Sequence, residues 1–194
     1  MSDQSTHGVA SNSLGGAARA IHFGLMLLGA ATYFAGDWAG DYKKADHSGF
    51  TLHMWLGLTT SVFIFSRVLY GFVGPLQMRF TYWVPYTRER FEQVIEDVQG
   101  LLKKQVPDRP LHGGLAGLVQ AGGIAVFALM AISGTTMAIF LETGQRATGW
   151  IRLVKEVHEL SGNLVAMYLI AHVGAVVLHS LMGKPVWQRA FGRK

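Results

Sequence analysis

Cysteine is absent from the 194 residues. That excludes disulfides, thiolate-held iron–sulfur clusters and the Cys-x-x-Cys-His attachment of a c-type haem. Charge is scarce too, with Asp, Glu, Lys and Arg at 15% of the chain against about 25% in an ordinary soluble domain. Long apolar runs take its place, and half of the residues are hydrophobic. Stretches free of those four charged types cover 20–36, 47–66, 110–141 and 160–183. Each reaches or approaches the ~20 residues that a helix needs to cross hydrocarbon.

These runs predict an all-α chain, a four-helix transmembrane bundle with spans near 17–38, 50–74, 114–141 and 157–182. Residues 1–16 form a polar tail ahead of one domain over 17–194. The first span continues through "AATYFAGDW", with no small-residue cleavage site, and is expected to be a retained span and not a signal peptide. Between the second and third spans, "RERFEQVIEDVQGLLKK" places Phe91, Val94, Ile95, Val98, Leu101 and Leu102 at helical spacing among charges. This short amphipathic helix in the cytoplasmic loop either lies on the membrane surface or caps the bundle. Pro107 and Pro110 end it. No internal repeat or second domain is visible.

Orientation follows from Lys and Arg. With the N-terminus inside, Arg19, Arg67, Arg79, Arg88, Arg90, Lys103, Lys104, Arg109, Lys184, Arg189, Arg193 and Lys194 fall inside, and Lys43, Lys44, Arg146, Arg152 and Lys155 outside. That asymmetry places both termini in the cytoplasm and the chain in a bacterial inner membrane. The net charge of +5 suits an anionic inner leaflet. No nucleic-acid motif competes with that use of the charge.

Histidine is the residue type that such spans ordinarily avoid. Four of the eight stand well inside them: His22, His53, His158 and His172. Alone, an intramembrane His is often a hydrogen-bonded packing residue. His158 and His172, however, are 14 residues apart, which brings them to within about 40° of one helical face and about 21 Å apart in depth. In an alternating bundle, His53 shares the outer depth with His158, and His22 the inner depth with His172. Two pairs stacked in depth suit two haems, each iron held axially by imidazoles from facing helices. Zinc would want three or four ligands at one depth. Gly57 and Gly162 follow the outer histidines by one turn, in "HMWLG" and "HELSG", and would make room for a macrocycle, although glycine in membrane helices also serves close packing. Arg67 follows His53 by 14 residues, at the depth of the inner pair. There it binds propionates or a quinone headgroup, or snorkels to the interface. His179, seven residues beyond His172, is a neighbouring group or an alternative inner ligand. The methionines are expected to fill space. His7 and His47 fall in the tail and a loop.

"AIHFGLMLLGAATYFAGD", "HMWLGLTTSVFIFSRVLYGFVGP" followed by "RF", and "EVHELSGNLVAMYLIAHVGAVVLHSLMG" with its basic tail resemble the bacterial cytochrome b561 / nickel–iron hydrogenase b-type cytochrome family. The likeness runs from about Ala18 to Lys194 and includes the histidine order, the 14-residue spacing and the Arg67, Gly71, Gly74-Pro75 series. It implies four membrane helices with two b haems, axial ligands at His22, His53, His158 and His172, and electron exchange between quinone and a redox partner. The third helix departs from the family's His-Asn-Pro-like start with "RPLHGGLAG", which leaves His112 without an expected role.

Two imidazoles per iron leave no open position, which favours electron transfer over oxygen binding. The expected function is a relay between the quinone pool and a periplasmic c-type cytochrome or dehydrogenase. One alternative is a stand-alone superoxide:quinone oxidoreductase, its anion drawn by the outer cations. The other is a haem-free metal transporter using the same histidines, disfavoured by the lack of intramembrane Asp, Glu and Cys.

Overall fold

The computed structural model describes residues 14–39, 48–105, 109, 112–141 and 146–191. In chain order they form α1 (Gly16–Trp38), α2 (Ser48–Val73), a 3₁₀ turn (Leu76–Met78), α3 (Phe80–Trp83), α4 (Arg88–Leu102), α5 (Gly114–Phe140), α6 (Gly149–Leu181) and α7 (Trp187–Phe191). No strand occurs among the described residues. α1, α2, α5 and α6 are each long and apolar enough to cross a membrane, and their order alternates up and down. The all-α four-helix expectation holds.

The spans agree with the sequence expectation to within two residues except at the start of α6, which begins at Gly149 and not near 157. Its charged first turns are helical because Arg152 pairs with Glu156 at 2.9 Å and Lys155 with Glu159, both at i,i+4. Such pairs favour a helix by about 0.2–0.5 kcal/mol each. The 33 residues of α6 extend about 50 Å, well beyond the ~30 Å of hydrocarbon. The charged turns project at the end of the bundle opposite α4.

Helices adjacent in sequence pack together: α1 on α2, α2 on α5, and α5 on α6. Small residues permit the approach. A Cβ at Gly24 would overlap the Phe63 ring, and one at Gly123 the Tyr168 ring, as expected where membrane helices close on glycine. The Thr32 and Thr60 hydroxyls meet at 2.8 Å between α1 and α2. The backbone of α6, by contrast, barely approaches α1 or α2. The bundle is therefore open along one seam, and the paired histidines face each other across it.

The amphipathic α4 caps the bundle. Its buried Asp97 accepts from the backbone N–H of Leu115 at 2.8 Å, on the first turn of α5, and from Nε of Arg109 at 2.6 Å. A carboxylate at a helix N-terminus satisfies an otherwise unpaired donor and complements the helix dipole. The Arg109 guanidinium is held protonated even more firmly than usual by its bonds to Asp97 and Glu96. Val94 is buried on the same face, while Phe91, Ile95, Val98 and Leu102 remain exposed. α4 thus caps α5 and still offers an apolar edge to the interface. α7 closes the same end from below, with Phe191 against Phe23 at 5.1 Å and Nη1 of Arg189 donating to the Arg109 carbonyl at 3.1 Å.

Asp97→Ala leaves two donors unanswered and is expected to cost about 1–3 kcal/mol, lowering the thermal unfolding midpoint in detergent. Asp97→Asn, which keeps one acceptor for Leu115, should lose about half as much.

Candidate functional site

Both expected histidine pairs form. His53 on α2 and His158 on α6 have ring centroids 6.2 Å apart, and His22 on α1 and His172 on α6 are 6.4 Å apart. The first pair lies at the end away from α4, the second at the α4 end. An imidazole nitrogen bonds a metal at about 2.0–2.1 Å and lies about 1.1 Å from its own ring centre, so two imidazoles on opposite sides of one ion have centroids about 6.3 Å apart. Both measured separations match that figure. Among the described residues, no three of His, Asp and Glu gather as a metal-binding group, so the imidazoles are available in twos only.

Hydrogen bonds fix the tautomers of one pair. Nδ1 of His53 faces the Thr32 carbonyl at 3.0 Å. A carbonyl only accepts, so Nδ1 carries the proton and Nε2 the lone pair. Nδ1 of His158 faces Oγ of Ser133 at 3.1 Å, and that hydroxyl donates to the Leu129 carbonyl at 2.8 Å. Ser133 therefore accepts from His158, whose Nε2 is again free. Gly134, beside Ser133, makes room: a Cβ there would stand 2.9 Å from Cε1 of His158. Such outer hydrogen bonds orient ligating histidines and raise their basicity. At the α4 end the support is a ring instead, with Tyr168 stacked on His172 at 5.5 Å and 19°.

Gly57 and Gly162 have loose surroundings. A Cβ at Gly57 would meet Cγ2 of Thr32 at 3.7 Å, and one at Gly162 Cε of Met130 at 3.5 Å. Both are ordinary contacts, so neither glycine is required by close helix packing. His179 is occupied by its own helix, with Nδ1 2.8 Å from the Ala175 carbonyl, and His172 faces His22 in its place. Lys43, Lys44, His7 and His47 lie outside the described residues. Of the remaining outer cations, Arg152 and Lys155 are paired with glutamates, which weakens the pull on an anion that the superoxide alternative invoked.

Arg67 does not snorkel. It is 8% exposed, with Phe80 and Trp83 over its guanidinium at 5.7 and 5.8 Å. Its Nη1 and Nη2 have no hydrogen-bond partner among the described residues. A buried guanidinium left so incomplete could receive an oxygen ligand. Gly71, one turn on, admits the Phe80 ring that covers it; a Cβ there would lie 2.2 Å from that ring.

Sequence reasoning missed Ser133, Tyr168 and His112. Tyr168 was legible in principle, four residues before His172 and hence on its face. Ser133 was not, because its partner lies 25 residues on, across α5 and α6. His112, just before α5, is buried, has φ +66°, and stacks at a tilt on Trp83 at 5.2 Å.

Burial first, then the nearby Arg67 charge, push the His112 pKa down to about 4. Charged groups at this end of the bundle include Arg67 from α2, Arg90, Glu96 and Asp97 from α4, Arg109, and Arg189 from α7. Because the folded pKa lies below the unfolded value, the unfolded chain takes up the proton first as pH falls. The stabilisation is whole above about pH 6.5 and declines from there to about pH 4, at up to about 1.4 kcal/mol per unit. His112→Asn should therefore flatten the fall in thermal midpoint between pH 7 and 4.5; an unchanged slope would assign that fall to other groups.

A family model described as prokaryotic cytochrome b561 matches residues 13–193. No curated protein and no solved structure gives a match. The family match covers all four spans and both histidine pairs, and a haem with two imidazole ligands suits the measured ring separations. The chain belongs to the prokaryotic cytochrome b561 family and is a multi-pass, haem b-binding membrane cytochrome of electron transfer.

Proposed function

We propose that the protein holds two b haems, one between His53 and His158 and the other between His22 and His172, and exchanges electrons between quinone and a partner on the opposite face of the membrane. The observation that carries this reading is the pair of ring separations, 6.2 and 6.4 Å, across a seam where α6 stands away from α1 and α2. Haem held by these imidazole pairs would supply reversible one-electron exchange. The chain's own residues do the rest. Thr32 and Ser133 hold Nδ1 protons so that two Nε2 lone pairs face inward, Tyr168 braces His172, and Gly57 and Gly162 leave the outer haem face clear.

Arg67 is assigned to the oxygen-bearing headgroup of a quinone or to a haem propionate, supported by its unpartnered guanidinium nitrogens. The distribution of Lys and Arg supports an inner-membrane protein with both termini in the cytoplasm, so the α4 end is cytoplasmic. No catalytic domain accompanies the bundle among the described residues, which supports a periplasmic c-type cytochrome or dehydrogenase subunit as the other partner.

Pyridine haemochrome quantitation on the purified protein should give two b haems per chain. His53→Ala or His158→Ala should remove mainly one, and His22→Ala or His172→Ala mainly the other, resolved in reduced-minus-oxidised spectra. One haem that ignores all four changes would end the paired-ligand reading.

Ser133→Ala removes one acceptor for His158 and leaves the Met130 carbonyl. Losses of about 10- to 100-fold in cofactor affinity are usual for such outer partners. The haem lost in His53→Ala should therefore be the one that dissociates first from Ser133→Ala on dilution in detergent.

A further inference from the structure

Arg67 and His112 reach a common aromatic ring from separate elements. Cζ of Arg67 lies 5.8 Å from the Trp83 ring centre, and the His112 ring lies 5.2 Å from it. Each carries buried polar atoms with no partner among the described residues: Nη1 and Nη2 of Arg67, and Nδ1 of His112. Since Nδ1 has no partner among the described residues, the contact of His112 with the Gln77 backbone falls to Nε2, which then carries the proton. A neutral imidazole has one N–H, so Nδ1 presents a bare lone pair. The two orphans are of opposite sense, a cationic donor and a neutral acceptor. Leaving either buried and unmet costs about 1–3 kcal/mol or more.

The complementary ligand atom is an oxygen that accepts and donates at once. A carboxylate such as a haem propionate answers Arg67 and leaves the lone pair unmet, and the carbonyl of an oxidised quinone does the same. A hydroxyl seated between the two would answer both. We propose that Arg67 and His112 together form the headgroup site for a quinol, the reduced form, and that Nδ1 of His112 takes the hydroxyl proton as the quinol is oxidised. This rests on the quinone-linked reading above and adds to it the redox state of the substrate and the path of its protons.

Two electrons and two protons leave each quinol. The electrons go one at a time to ferric b-type haem iron. The O–H bond at this oxygen breaks as an Nδ1–H bond forms, and the para hydroxyl, on the far side of the ring, gives its proton to water. The release route is a cleft of about 230 Å³ at the α4 end, lined by His112 and Trp83 together with Tyr82, Gln93, Arg90 and Arg109. Three arginines around His112, with Asp97 already engaged by Arg109, disfavour a resident proton and favour passing it on. The half-buried Phe80, carried on the four-residue α3 and not on a span, covers the Arg67 guanidinium.

The probes are a short-chain ubiquinol and its oxidised quinone, added to the purified haem-loaded protein in detergent. Binding is read by tryptophan fluorescence under conditions that block turnover, and haem reduction by stopped flow from pH 5 to 9. The wild-type protein should bind the quinol at least about tenfold more tightly than the quinone, since a site built around a hydroxyl discriminates against the analogue lacking it. Arg67→Gln should weaken quinol binding at least about tenfold. His112→Asn keeps an acceptor near the Nδ1 position but no base. It should bind quinol within about threefold of wild type, yet be reduced about 10²–10⁴-fold more slowly, with a flattened pH profile and unchanged reduction by dithionite. Equal affinity for quinol and quinone overturns the proposal, as does a His112→Asn protein reduced at the wild-type rate with the wild-type pH profile. If His112→Asn fails to retain haem, the wild-type preference and the Arg67→Gln affinity still decide. Haem content, measured on the same samples, judges the di-haem reading separately.

Discussion

An imidazole reaches only a few ångströms from its helix, and this short reach governs the bundle. Two such rings can share a metal only if their helices hold a fixed separation at the same depth. Here the requirement is met twice along α6, at His158 and His172, against two different partner helices. α6 must therefore stand parallel to both α1 and α2 without packing on either. α5 makes this possible. It holds α6 on one side and α2 on the other, and at Ser133 and Gly134 it shapes the surroundings of His158 directly. The most apolar span, with no proposed ligand of its own, is the spacer that sets the distance for the others.

The α4 end depends on a different constraint, the handling of charge away from water. Asp97 and Arg109 meet it by pairing, and the pair ties the amphipathic helix to the start of α5. Arg67, a few residues inside the bundle, is not paired. Its charge is covered by aromatic faces and completed by nothing in the described chain. Among the described residues, the buried carboxylate that ties α4 to α5 is paired, whereas the buried Arg67 guanidinium nitrogens have no partner.

Much of this was legible in the sequence. Four uncharged runs fixed the spans, because hydrocarbon tolerates little else. The 14-residue spacing of His158 and His172, with alternating helix direction, was enough to pair His53 and His22 with them. Less legible was anything set by contacts between distant helices. The first turns of α6 read as loop because they are charged, although those charges stabilise the helix by pairing along it. Arg67 could be placed at the right depth, but spacing alone did not distinguish snorkelling from burial. His112 was set aside for want of a familiar motif, and Ser133 gave no signal, since its meaning lies in a ring on the next helix.

The open seam has a consequence for biogenesis. The extensive backbone contacts between spans, among the described residues, join neighbours in sequence, so the protein part of the bundle can assemble in the order in which its helices enter the membrane. The edge between the last helix and the first two is left without extensive backbone contact, and haem held by the histidine pairs as proposed would close it. Loading then requires no helix to be withdrawn or rethreaded.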